Sequence, residues 1–151
     1  MELPSLRLKK GKEVSIFRKH HWIFSGAIAS ETNQFQSGDL LKVFSSKDQF
    51  LALGHFSQGS IMVRIISFED VEIDQKFWDQ KVQHAFALRQ NLGLTESEDT
   101  NVYRLIHGEG DELPGLIVDI YNRTAVIQMH HIGMYKHRKD IATALQIVYG
   151  N

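Results

Sequence analysis

Apolar and polar positions alternate through Ser5-Leu6-Arg7-Leu8-Lys9-Lys10, the two-residue period of a strand, and Gly11 closes the run. Residues 12–19 predict a short helix with Val14 and Phe17 on one face. Trp22-Ile23-Phe24 reads as extended and buried, with Trp22 a core anchor, and Ser25-Gly26 turns the chain. Past Ser37-Gly38-Asp39 come Leu40–Phe44, Phe50–Phe56 and Ile61–Ile66. Each run is short, rich in β-branched or aromatic residues, and bounded by Ser, Gly, Asp or Gln. Strands of this length and spacing predict a small β-barrel or sandwich over residues 1–70.

The period then changes. Glu69 to Asp74 is an acidic entry suited to a helix N-terminus, and Trp78, Val82, Ala85, Arg89 and Leu92 recur at helical spacing, with Phe86 and Leu88 widening the stripe. Gly93 is a stop signal, and residues 95–100 are polar and acidic. Residues 71–100 therefore read as a connecting helix and linker. From residue 101 the chain predicts strands at Val102–Ile106, Leu116–Tyr121 and Thr124–His130, with a turn-rich stretch from His107 to Pro114. His137, Ile141, Ala144, Leu145 and Val148 then mark a helix face. The fold class is α+β: a small barrel, a linking helix, and an incomplete strand-strand-helix domain over 101–151. A layer of about 50 residues is small for an independent unit, so a further domain is expected to follow. An uncovered sheet edge offers a place for a second copy, and a homodimer is one expectation.

Charge changes this picture. The 151 residues carry 17 Lys and Arg against 18 Asp and Glu, for a net charge of −1. The distribution is uneven. Residues 6–21 hold six cations, Arg7, Lys9, Lys10, Lys12, Arg18 and Lys19, against Glu13 alone. A concentrated cationic end on an otherwise acidic molecule directs encounter with polyanions to that end. The chain has no cysteine, which excludes disulfides, thiolate metal sites and a cysteine nucleophile within it. No apolar run approaches the about 18 residues of a membrane helix, no secretory signal is visible, and the expected compartment is the cytoplasm.

Three catalytic patterns fail on their chemistry. His107-Gly108-Glu109 imitates the His-x-Glu of zinc deaminases without the paired cysteines such sites need. Gly108-x-Gly110 with Gly115 is a poor phosphate loop, because Glu109, Asp111 and Glu112 would repel a phosphate. His130 and His131, read within a strand, point to opposite faces and so are poorly placed to share a metal. The acids at 109–112 read first as a strand connection shaped by Gly and Pro. A contact to a neighbouring domain or to substrate amino groups stays open. The stretch from residue 17 to 28, FRKHHWIFSGAI, is richer. Arg18 and Lys19 suit phosphates, and His20, His21 or Trp22 suit stacking on an unpaired base. Ser25 and the Gly26 backbone suit close approach to a phosphate.

LKKGKEVSIFRKHHWIFSGAI and YRLIHGEGDELPGLIVDIY together resemble the start of the bacterial ribosomal RNA large-subunit methyltransferase family that opens with a PUA domain. His21 stands where that family usually has proline. The resemblance implies a PUA RNA-binding domain at 1–70 and the beginning of a small α/β domain. It also implies a later Rossmann-like domain that binds S-adenosylmethionine (SAM) and carries the catalytic residues. It implies ribosomal RNA as partner, with cytosine-5 as one target chemistry. On this reading the chain holds no catalytic, cofactor or metal residues. Its RNA contacts are Lys9, Lys10, Lys12, Arg18, Lys19, His20, His21, Trp22, Ser25 and Gly26. A stand-alone RNA-binding or protein-adaptor module without enzyme activity is the alternative from a different class.

Overall fold

The computed structural model describes residues 2–150. The chain divides into two compact units. One takes in the chain up to Val71 together with His131–Gly133, and the other Glu72–His130 together with the chain from Met134 onward.

The first unit is built on five strands: β1 Ser5–Arg7, β2 Trp22–Phe24, β3 Leu40–Phe44, β4 Phe50–Phe56 and β5 Ile61–Ser67. They lie in the order β1-β3-β4-β5-β2. β1 runs parallel to β3, and the other pairings are antiparallel. Register irregularities at Val43/Phe44 and Leu53/Gly54 accentuate the curl of the sheet. An antiparallel bridge between Leu8 and Ile28, flanked by Lys9 N–H to Ala27 C=O at 2.9 Å, brings the two sheet edges together. The enclosed core includes Leu6, Leu8, Ile23, Leu41, Val43, Phe56, Val63 and Ile65, none more than 3% exposed.

Several local expectations change here. The helix predicted over 12–19 shrinks to the single turn α1, Val14–Phe17. It buries Ile16, while Val14 and Phe17 are 49% and 58% exposed. One turn presents only one side chain squarely to a core, and Ile16 takes that place. β2 alternates rather than being buried throughout: Ile23 points in, Trp22 is half-buried and Phe24 is 49% exposed. Trp22 is therefore not the full core anchor its size suggested.

The second unit carries an antiparallel sheet, β6 Val102–His107, β7 Leu116–Tyr121 and β8 Thr124–Met129. Helix α2, Gln75–Asn91, packs on β6 and on a later helix, α4, Arg138–Tyr149. A short helix not read from the sequence, α3 Ile132–Lys136, precedes α4. The Asp74 side chain caps α2 by accepting from Phe77 N–H at 2.9 Å, and Gly93 at φ +73 ends that segment. Phe77, Trp78, Val82, Ala85 and Arg89 form its buried stripe, whereas Leu88 and Leu92 are exposed. Glu72 and all of α2 thus pack with the second unit. β8 ends at Met129, so His130 and His131 are not strand neighbours, contrary to their sequence pattern. Among the described residues no group of three or more His, Cys, Asp or Glu could hold a metal ion, and no helix is long and apolar enough to cross a membrane.

His137 sits over the buried Trp78 ring, centroids 4.7 Å apart, with Asp140 Oδ2 at 3.3 Å from its Nδ1. Burial lowers its pKa from the ordinary 6.5, and the Asp140 carboxylate opposes this only in part. The folded pKa then lies below the unfolded one. The resulting stability is complete above pH about 6.5 and is lost as pH falls through the folded value. The urea midpoint is expected to fall more steeply between pH 7 and pH 5 in the wild type than in His137→Phe, which keeps a ring on Trp78 without a titrating proton. Parallel midpoint curves would contradict this.

Candidate nucleic-acid interface

The cationic stretch forms two neighbouring turns of the first unit. β1 runs out at Leu8, and the lysine turn follows, with Gly11 at φ +82 and Lys12 N–H bonded to Lys9 C=O at 3.1 Å. The Leu8–Ile28 bridge and the Lys9–Ala27 hydrogen bond set this turn beside the 3-10 turn Ser25–Ala27. Sequence positions 9–12 and 25–26 are therefore brought together by closure of the sheet.

Arg18 and Lys19 follow α1. Lys19 adopts φ +62 and reverses the chain into β2, with His20 N–H returning to Ser15 C=O at 3.0 Å. The Lys19 ammonium stands 4.5 Å from the Phe68 ring centroid, a cation–π contact. The His20 ring lies against the backbone at the start of β2, its Nδ1 accepting from Trp22 N–H at 3.3 Å. His21 is used differently. Its Nδ1 lies 2.9 Å from Ile65 C=O, and a carbonyl can only accept, so Nδ1 carries the proton. Ile65 N–H returns to His21 C=O at 2.8 Å, and the His21 ring packs edge-on against Phe68 at 5.1 Å. His21 thus ties the start of β2 to β5.

Exposure sorts the ten predicted contacts. Lys9, Lys10, Lys12, Arg18, Lys19, His20, Ser25 and Gly26 are exposed, and His21 and Trp22 are half-buried. Among the described residues Lys9, Lys10, Lys12 and Arg18 make no ion pair, whereas Arg7 pairs with Asp48, Lys42 with Asp70 and Lys81 with Glu112. The predicted set therefore holds un-neutralised charge. Gly26 has open space where a Cβ would stand, so its backbone is accessible. Residue-by-residue reading missed Phe24, which the two-residue strand period places on the outer side with Trp22. It also missed Arg64, the cross-strand neighbour of Trp22, whose Nη1 donates to Ser57 Oγ at 3.2 Å.

Within the acidic stretch of the second unit Asp111 turns inward, while Glu109 and Glu112 are exposed. Gly108–Asp111 is a 3-10 turn. Asp111 takes both terminal nitrogens of Arg89, Nη2 to Oδ2 at 2.8 Å, and accepts from His107 N–H at 2.6 Å. Arg89 Nε in turn donates to Arg104 C=O at 3.0 Å. Glu112 pairs with Lys81 at 2.7 Å. Asp111 is thereby a structural residue that closes the turn between β6 and β7.

A family model described as a PUA-like domain matches residues 6–68. This chain contains a PUA-like domain. The domain coincides with the five-stranded unit and includes every predicted contact residue. Over most of its length the chain is also similar to ribosomal RNA large subunit methyltransferase I. It is 36% identical to that of Klebsiella pneumoniae over 148 residues, covering 97% of this chain and 36% of the relative. It is 38% identical to that of Pseudoalteromonas atlantica over 141 residues, covering 92% of this chain and 35% of the relative. The chain thus spans just over a third of the length of these relatives. Its fold matches a SAM-dependent methyltransferase from Streptococcus mutans with a TM-score of 0.86 at 22% identity, over 99% of this chain and 39% of the other. It also matches a methyltransferase complexed with SAH with a TM-score of 0.83 at 22% identity, over 100% of this chain and 38% of the other.

SAM, which such relatives imply, does not fit the glycine-rich turn of this chain. That turn is drawn closed by Asp111 on Arg89 and on the His107 amide, so its backbone and its carboxylate are already occupied.

Proposed function

We propose that this chain is the RNA-recognition region of a SAM-dependent ribosomal RNA methyltransferase that acts in the cytoplasm, cytosine-5 being the modification its family resemblance suggests. Recognition is the part played by these 151 residues, and catalysis and SAM binding fall to another region of the parent protein. The observation that carries the reading is the meeting of the exposed lysine turn with the exposed Ser25–Gly26 on a PUA-like domain, with Lys9, Lys10 and Lys12 free of ion pairs among the described residues. Cations left un-neutralised on an acidic molecule are suited to replace the counterions of a polyphosphate.

Binding of a labelled ribosomal RNA fragment, read by fluorescence anisotropy, is expected to weaken linearly in log–log form with added salt. Lys12→Glu together with Arg18→Glu should cut affinity about tenfold or more at low salt. It should also lower the salt slope by about 0.7–0.9 for each phosphate that is no longer neutralised. An unchanged slope and affinity would remove these residues from the interface.

A further inference from the structure

Three exposed or half-exposed rings on the rim form a box with two walls and a floor. His20 and Phe24 are 6.5 Å apart between centroids and tilted by only 36°. Trp22 stands edge-on to both, 6.0 Å from His20 at 90° and 6.3 Å from Phe24 at 82°. Trp22 and Phe24 project to the outer side of β2, opposite Ile23, which points into the core, and His20, exposed just before the strand, lies against both rings. Two stacking distances of about 3.4 Å add to about 7 Å, slightly more than the 6.5 Å between these inclined rings, so a planar guest between them requires the exposed walls to swing apart by a small amount. The walls are also held. The His20 ring lies against the Trp22 amide, and β2 is paired along β5.

Such a box suits either a cation or a flat base. The surroundings decide. Arg18 and Lys19 directly precede His20, and Arg64 is the cross-strand neighbour of Trp22. A cationic guest would meet like charge, whereas a base tethered to a phosphate brings its own anion. Ser25 N–H is taken by Ser60 C=O at 2.9 Å, but the Gly26 backbone, two residues after Phe24, has open space around it for such a phosphate.

We infer that the His20–Trp22–Phe24 box receives a single unpaired nucleobase, so that the rim selects single-stranded or extruded RNA over continuous duplex. This rests on the RNA-recognition reading and narrows it to one class of RNA. A base inside a duplex is stacked on both faces and has no free face to offer the box.

The test uses the 151-residue chain and three labelled RNAs: a single strand about 12 nucleotides long, within the site size of one single-strand-binding module, the same strand annealed to its complement, and the same strand with a run of abasic nucleotides. The single strand should bind about tenfold tighter than the duplex and the abasic strand, in line with base–aromatic stacking. Phe24→Ala and, separately, His20→Ala should each remove most of that advantage and leave the salt slope and the abasic-strand affinity unchanged. Phe24 is 49% exposed, so its truncation leaves the core filled, and an unchanged thermal melt checks this. Equal binding of single strand and duplex, or indifference to both variants, would overturn the box while salt-sensitive RNA binding survived. Absence of RNA binding at low salt would overturn the box and the RNA-recognition reading together.

Discussion

Asp111→Ala is expected to destabilise the second unit by about 3–5 kcal/mol, the range for breaking one side of a buried ion pair. The side chains of Arg89 and Asp111 are only 10% and 5% exposed. Removing the carboxylate would leave a guanidinium with little water, and would also orphan the His107 amide that Asp111 holds at 2.6 Å. The remaining bond from Arg89 Nε to Arg104 C=O satisfies one donor of five. The loss should appear as a lower urea midpoint, followed by Trp78 fluorescence in a Trp22→Phe background. Replacing both partners, Arg89→Met with Asp111→Leu, should recover much of it, because no charge is then stranded. A single variant within about 1 kcal/mol of wild type would show that water or a rearranged partner reaches Arg89.

Gly54→Ala is the second large effect and falls on the PUA-like domain. A Cβ at Gly54 would stand 2.5 Å from Val63 Cγ1 and 2.8 Å from the Arg64 carbonyl oxygen. Val63 is fully buried, and the carbonyl belongs to the neighbouring strand β5, so neither can move aside without parting the sheet. Overpacking of this kind costs about 3 kcal/mol, or about 15 °C in the melting of a unit this small. Val63→Ala added to Gly54→Ala should fail to rescue, since the carbonyl clash persists. Rescue by that second change would mean that only the valine methyl opposes the new side chain.

These two sites differ in how far the sequence announced them. Gly54 interrupts a strand whose bounds, Phe50–Phe56, the pattern of apolar residues marked fully. A glycine there signals close approach without naming the partner. Arg89 fell within the apolar stripe of α2, an unusual place for a cation, and the acids at 109–112 were visible as a group. That Asp111 rather than Glu109 or Glu112 would meet Arg89 depends on a 3-10 turn and a pairing 22 residues apart, which no local period encodes.

By itself the sequence determined the elements whose period is long enough to read: β3, β4, the α2 stripe, β7 and the face of α4. It also determined the cationic segment and, through its motifs, the family resemblance. Tertiary structure alone decided what non-local contacts control. It set β1 parallel to β3, joined Leu8 to Ile28, and so placed the lysine turn beside Ser25–Ala27. It gave the core position of α1 to Ile16 rather than Val14 or Phe17, and it left Trp22 and Phe24 on the rim. The reason is physical. Hydrophobicity says that a side chain gains from burial, but a strand as short as β2 has room for only one side chain on its inner face. Which one is buried, and which rings remain exposed for a ligand, is settled by the neighbouring strands when the sheet curls closed.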